Sequence, residues 1–417
     1  VGSEMCIRDR DYQEYHYLEP VANRENHFVH GEDEDILLNE IGEELLKIGK
    51  WNVGIVDDGE RTQIAHEVVG ILYRKLQQEV GILNSRNLIE VLYDDLEKVL
   101  FKLMLSQKRY AEDIACYPEK EQEIFEQTNR DNKASIALKF LIEYIAAVPP
   151  KGNINIGENQ YERLIAICSL IIEWSYKNDL FYYQIFNTPI EILKSHRIGM
   201  RQQEFQHMFS VNEAIRKEQL IASSVFEDSV NLVEQKSFME EINRAFEKEY
   251  GYSLYQLMLL AEGLREYSKS QSSDTVYVAK MKDIVDFLSQ YDTSFNEDTV
   301  DVIIGSIALR QREDFLVPPE SFRKEDVYPW RFNRELSFTR RPIIIRGDEV
   351  IWGNRQLDHM IRFTVGLINN GKLKAHSPEM NSLGGKISDE RGAEFNDLIY
   401  KLLINLNVFE VYSNISK

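Results

Sequence analysis

Residues 328–346 read Y-P-W-R-F-N-R-E-L-S-F-T-R-R-P-I-I-I-R, from Tyr328 to Arg346, and they divide the chain into two textures. Arg331, Arg334, Arg340, Arg341 and Arg346 are interleaved there with Tyr328, Trp330, Phe332 and Phe338. Guanidinium groups hold phosphates in a bidentate fork, and aromatic faces stack on unpaired bases, so this interleaving points to nucleic acid. A rigid staple between domains has the same composition, with Trp330 and Phe332 as buried plugs and the arginines paired to acids. Upstream, the apolar spacing is helical. Downstream, Ile343-Ile344-Ile345, Gly347-Asp348 and Val350-Ile351-Trp352 give a strand–turn–strand signal. The expected fold class is therefore mainly α: two helical regions followed by a small, truncated α/β segment.

Charge separates the same parts. The 417 residues carry a net charge of −20. Residues 321–346 hold seven Lys/Arg against three Asp/Glu, a net of +4, and residues 347–417 hold eight against nine, a net of −1. Residues 1–320 therefore carry −23. Such a surface repels phosphate backbones, so DNA or RNA is expected only at the basic stretch, and protein partners at the acidic helical region. With 28% charged residues and no apolar run near the ~20 that span a bilayer, no membrane association is expected. Cys6, Cys116 and Cys168 fit neither a zinc site nor a disulfide framework, and the expected setting is the cytoplasm.

Taken in order, residues 5–10 (M-C-I-R-D-R) resemble the translation of a sequencing adapter, so residues 1–10 are set aside. Residues 11–34 read as a polar leader. Its His16, His27 and His30, close to the acids at 32–35, lack the rigid frame that a metal site needs. The opening Val1, and the absence of a helix stop at Asn414-Ile415-Ser416-Lys417, lead us to expect a piece of a longer bacterial-type protein.

Residues 35–210 are expected to be a helical domain with Tyr161–Tyr176 as its central helix, since burying each large apolar side chain gains roughly 1.5–3 kcal/mol. Asp94-Asp95 on an earlier helix reads as solvated surface. Residues 211–320 form a second helical domain, with Ser253 as an N-cap and Thr275–Val278 β-prone. Residues 321–346 are the basic–aromatic linker and 347–417 the α/β segment. In that segment Gly371–Gly385 is expected to be loop, with Gly384-Gly385 a flexible joint, followed by a helix over Ser388–Asn405 and a strand over Val408–Tyr412.

The last helix carries D-E-R-G-A-E-F-N-D-L-I-Y-K-L-L from Asp389 to Leu403, with V-F-E-V-Y after it. Arg391-Gly392-Ala393-Glu394-Phe395 resembles the opening helix of the restriction-endonuclease-like nuclease superfamily. In that family a helix acid precedes a strand pair whose aspartate and glutamate-x-lysine position Mg²⁺ and the attacking water. The resemblance makes Glu394 the counterpart of the helix acid, although here it precedes Phe395 and Asn396 follows. The aspartate and glutamate-x-lysine are not in this sequence. The resemblance thus implies no cofactor and no activity in this stretch alone, and a Mg²⁺-dependent nuclease in the full-length protein. An amphipathic helix with an exposed Glu394 accounts for the same residues.

Other motifs are missing. His66-Glu67 fails as H-E-x-x-H at Gly70, and there is neither a G-x-x-x-x-G-K-[ST] loop nor a G-x-S-x-G turn. The expected function is a helical scaffold preceding a nuclease-like domain and associated with nucleic acid. The alternative is a non-enzymatic scaffold that binds proteins.

Overall fold

The computed structural model describes residues 31–182, 189–200, 236–271, 273, 275–312, 315, 336–369, 371, 373 and 375–406. The first part contains α1 (Gly31–Ile48), β1 (Gly54–Ile55), α2 (Arg61–Gly81), α3 (Ser85–Cys116), α4 (Glu121–Ala147), α5 (Glu158–Tyr182), β2 (Ile190–Ile192) and β3 (Ile198–Met200). The second contains α6 (Lys236–Tyr250), α7 (Leu254–Ser268), β4 (Val276–Lys280), α8 (Met281–Tyr291) and α9 (Glu297–Ile307). It continues with α10 (Ser337–Arg340), β5 (Ile344–Arg346), β6 (Glu349–Gly353), α11 (Asn354–Asn369) and α12 (Pro378–Leu406). The fold is mainly α, as the spacing of apolar residues predicts. Among the described residues no helix is long and apolar enough to cross a membrane.

Helix α5 is the centre of the first part. Leu164, Ile165, Ile167, Leu170, Ile171 and Trp174 are all buried on it. Residues of one helix lying three and four apart share a face, and so continuous an apolar sequence needs neighbours on several sides. Helices α2, α4 and α1 supply them, and α3 lies along α4. Ion pairs tie the outer edges: Arg163 on α5 meets Glu40 at 2.8 Å and Glu79 at 2.5 Å, and Lys75 meets Glu40 at 3.1 Å.

Strands β1, β2 and β3 form a small antiparallel sheet in that order, with Ile190, Ile192 and Ile198 turned into the same core.

The second sheet is antiparallel, in the order β4-β6-β5. It contains the hairpin predicted around Gly347-Asp348, but β6 is its centre and β4 comes from residues 276–280. Alternation along the strands sends side chains to both faces. Ile344 and Ile351, with Val276 and Val278, pack into the core around α5. Tyr277, Ala279, Val350 and Trp352 pack into a second core made with α6 to α9, α11 and α12. The sheet is thus buried on both sides and is common to the two cores.

Three local expectations are corrected. Residues 378–385 are helix, not loop. Pro378 occupies the first position of α12, where its missing N–H costs nothing, and the Ser377 hydroxyl accepts from the Met380 N–H at 3.3 Å. Met380, Leu383 and Ile387 then bury one face, so packing overrides the low helical propensity of Gly384-Gly385. A Cβ on Gly371 would lie 2.6 Å from the Gly384 carbonyl oxygen, which fixes glycine at this close approach.

Asp95, read from sequence as solvated, is buried, and Asp94 accepts from Thr275 Oγ1 at 2.5 Å and pairs with Lys98 at 2.5 Å. That side of α3 faces β4 and β6 instead of water. Finally, apolar spacing predicts two helices, Glu119–Thr128 and Asn132–Val148, and the structure joins them in one, Glu121–Ala147. The strand expected at Val408–Tyr412 lies outside the described residues.

Candidate functional site

The basic stretch enters the described structure at Leu336. One helical turn, α10, buries Phe338 edge-on against Tyr93 with ring centroids 5.4 Å apart. Proline then sets the course of the chain. Pro342 has no N–H, and its carbonyl accepts from the Tyr93 hydroxyl at 2.6 Å. Beyond it Ile343 lies parallel to the end of α9: its N–H donates to the Ile307 carbonyl at 3.2 Å, and its own carbonyl accepts from the Leu309 N–H at 2.8 Å.

Arg340-Arg341 precede the paired Ile343 and Arg310-Gln311-Arg312 follow the paired Ala308, and the charges of Arg310 and Arg312 act on Arg341. Burial first, and then the positive charges of Arg310, Arg340 and Arg312, hold the Arg341 guanidinium below the ordinary arginine range. Among the described residues no carboxylate pairs with Arg341.

Tyrosines border the cluster. Tyr250 and Tyr252 stack at 5.9 Å, and the Tyr252 hydroxyl and Ser306 Oγ are 2.6 Å apart. Burial, then Glu249, pushes the Tyr250 phenol up to about 12, while Arg340 and Arg341 pull it back. Arg312 is half turned inward: its Nη2 reaches Glu143 Oε1 at 3.0 Å, and its guanidinium lies over Phe315 at 5.2 Å.

Beneath this surface runs a seam of buried polar groups between α3, α4 and α11. Glu97 is fully buried and accepts from the Arg355 and Gln356 N–H groups, both at 2.9 Å. These are N–H groups in the first turn of α11, where a helix has no internal acceptors for them. Burial nevertheless pushes the Glu97 carboxyl up to about 7, against the pull of those N–H groups and of Arg355. Burial lowers Lys139 to about 8, against the attraction of Glu97. His359 is driven well below its ordinary value, first by the charge on Lys139 and then by burial, so it is a neutral imidazole at pH 7. Gln356 Nε2 donates to the Phe338 carbonyl at 3.4 Å, which connects the seam to the arginine turn.

The expected site residues are distributed as follows. Arg340 and Arg341 belong to the cluster. Arg346 stands at the end of β5 opposite Glu349, and it is not among the charges acting on Arg341. Trp330, Arg331 and Arg334 lie outside the described residues. Glu394 falls within α12, and its side chain lies outside what the structure describes. Among the described residues no group of three or more His, Cys, Asp or Glu could hold a metal ion, so no step through Mg²⁺ is assigned to them.

Sequence reading missed Arg310 and Arg312, which follow an apolar helix and meet remote residues, such as Glu143 for Arg312, only in the folded chain. It also missed Lys139 and Glu143. Their signal was present: two charges four apart inside the apolar run I-A-L-K-F-L-I-E-Y-I-A-A of α4.

No curated protein and no solved structure matches this chain. The model of a family described as anti-phage protein Upx-like matches residues 52–357, which take in most of both cores, the shared sheet and the arginine cluster, and stop before α12. That span is well over half of the sequence, and the chain belongs to the anti-phage Upx-like family.

Proposed function

We propose that this defence-related protein recognises nucleic acid through Arg340 and Arg341, and that its helical body positions a nuclease-like module whose first helix is α12. One observation carries the reading: Arg310, Arg312, Arg340 and Arg341 are gathered at one place in a chain that is otherwise strongly acidic. Positive charge concentrated against such a background directs a polyanion to a single spot. The attachment of α12 supports the second half. The His376 and Ser377 N–H groups donate to Glu249 at 3.0 and 2.6 Å, and Lys386 pairs with Glu241, so α6 holds the helix that carries Glu394.

The test is a mobility shift of labelled single- and double-stranded DNA and RNA across a salt series, with the melting temperature followed in parallel. Arg340→Glu with Arg341→Glu is expected to abolish a salt-dependent shift and to leave melting unchanged. No shift by the unaltered protein at low salt, with an intact fold, would reject this reading and leave the non-enzymatic scaffold.

A further inference from the structure

We propose that Glu143 is a positioning residue, a single buried carboxylate that holds together the two arginine-bearing segments, residues 308–312 and 336–341. Its effect on binding rests on the nucleic-acid reading above; its hold on the chain does not.

Each oxygen of Glu143 serves a different segment. Oε1 accepts from Arg312 Nη2 at 3.0 Å, and Oε2 accepts from the Phe338 main-chain N–H at 3.4 Å. The first segment is seated on the end of α4 in two further ways. The Arg312 N–H donates at 2.8 Å to the carbonyl of Ala147, one helical turn beyond Glu143. That carbonyl is among the last four of the helix, which find no donor within it, and a guanidinium beside them is favoured by the helix dipole. Phe315 then packs edge-on to Phe140 and to Tyr144, each at 5.3 Å. The second segment is held on its other side by α11, where Gln356 Nε2 donates to the Phe338 carbonyl at 3.4 Å.

Glu143 has no exposed surface. Desolvation opposes burying a carboxylate, and an apolar side chain of similar size would fill the same space without partners. An apolar side chain could not, however, bind two segments at once. Methyl groups pack in many orientations, whereas a carboxylate with a donor on each oxygen admits one register. Glu143 thereby fixes the segment of Arg312 against the segment of Arg340 and Arg341.

Charge and position predict opposite results for Glu143→Gln. The substitution removes a negative charge beside the surface a polyanion would approach, so on charge alone binding strengthens. As a positioning residue Glu143 gives the reverse, because the amide keeps one acceptor oxygen where two are needed.

Two measurements on the full chain test this. In hydrogen–deuterium exchange without nucleic acid, Glu143→Gln should speed exchange about tenfold in both segments and leave α2 and α5 unchanged, tenfold being about the worth of one hydrogen bond to a charged group. In the unaltered protein the two segments should open as one unit, with the same dependence of exchange on urea. In fluorescence anisotropy of a labelled single-stranded oligonucleotide, Glu143→Gln should weaken binding about fivefold at an unchanged salt slope, since no cation is removed.

Faster exchange in one segment alone, unequal urea dependence, or unchanged or tighter oligonucleotide binding by Glu143→Gln overturns the proposal. If Glu143→Gln does not fold, the urea dependence of the unaltered protein decides. If exchange behaves as stated while the unaltered protein binds no oligonucleotide, the hold of Glu143 on the two segments stands and the nucleic-acid reading falls.

Discussion

Glu97 and Gly353 are bound to each other by space. A Cβ on Gly353 would lie 2.3 Å from the Glu97 carboxyl, so one residue fixes the other. Gly353→Ala should cost about 1–3 kcal/mol through overpacking. Glu97→Ala should cost roughly 2–5 kcal/mol, because two N–H groups of α11 lose their buried acceptor. The double variant should lose less than the sum, since removing the carboxyl opens the space that the new methyl needs; urea melts of all four proteins measure this coupling.

The same seam sets a pH dependence. Glu97 is raised to about 7 in the folded state, so its contribution to stability falls as pH climbs from the ordinary carboxylate range to about 7. Lys139 is lowered to about 8, so its contribution rises from about 8 towards the ordinary lysine range. Their combined contribution should be lowest between pH 7 and 8. Glu97→Gln should remove the acid limb of that profile and Lys139→Met the alkaline limb, as read from denaturation midpoints across pH.

Among the elements, α12 and α7 show two ways of starting a helix. Helix α7 starts on a capping box: Ser253 Oγ accepts from the Gln256 N–H at 3.1 Å, and Gln256 Oε1 accepts from the Ser253 N–H at 2.9 Å. Ser253→Ala should cost about 1 kcal/mol. Helix α12 depends on a carboxylate from another helix. Burial acts to raise Glu249, but the N–H groups of Ser377 and His376 outweigh it and hold the carboxyl below its ordinary value. Its support for α12 is therefore complete above the carboxylate range and is lost as pH falls through it. Glu249→Ala should speed amide exchange in the first turns of α12 and leave α7 protected. Equal exchange in the two helices would contradict this anchoring.

For the molecule as a whole, the shared sheet predicts cooperativity. Ile351 and Val350 are neighbours on β6 and face opposite cores. Ile351→Ala and Val350→Ala should each lower the same single thermal transition, because neither core keeps its wall without the strand they share. Two separated transitions, each moved by only one of the substitutions, would show the cores to be independent. In phage plating, Arg340→Glu with Arg341→Glu should abolish protection at unchanged protein level, and Glu394→Gln tests the nuclease-like helix in the same assay.

The helices could be read from the chain because their periodicity is local. Leu164 to Trp174 declares a buried helix without reference to anything distant, Ser253 declares a start, and Gly347-Asp348 declares a hairpin. What could not be read were the contacts that join remote residues: β4 beside β6, Glu97 at the head of α11, Glu249 at the head of α12, and Arg312 beside Glu143. Each is the meeting of segments whose separation along the chain hides it from any spacing rule, and burial, not residue type, then decides whether a charge is surface or seam. Asp95 shows the limit most simply. An aspartate on an amphipathic pattern belongs to water by composition, and only the packing of the fold around α3 makes it interior.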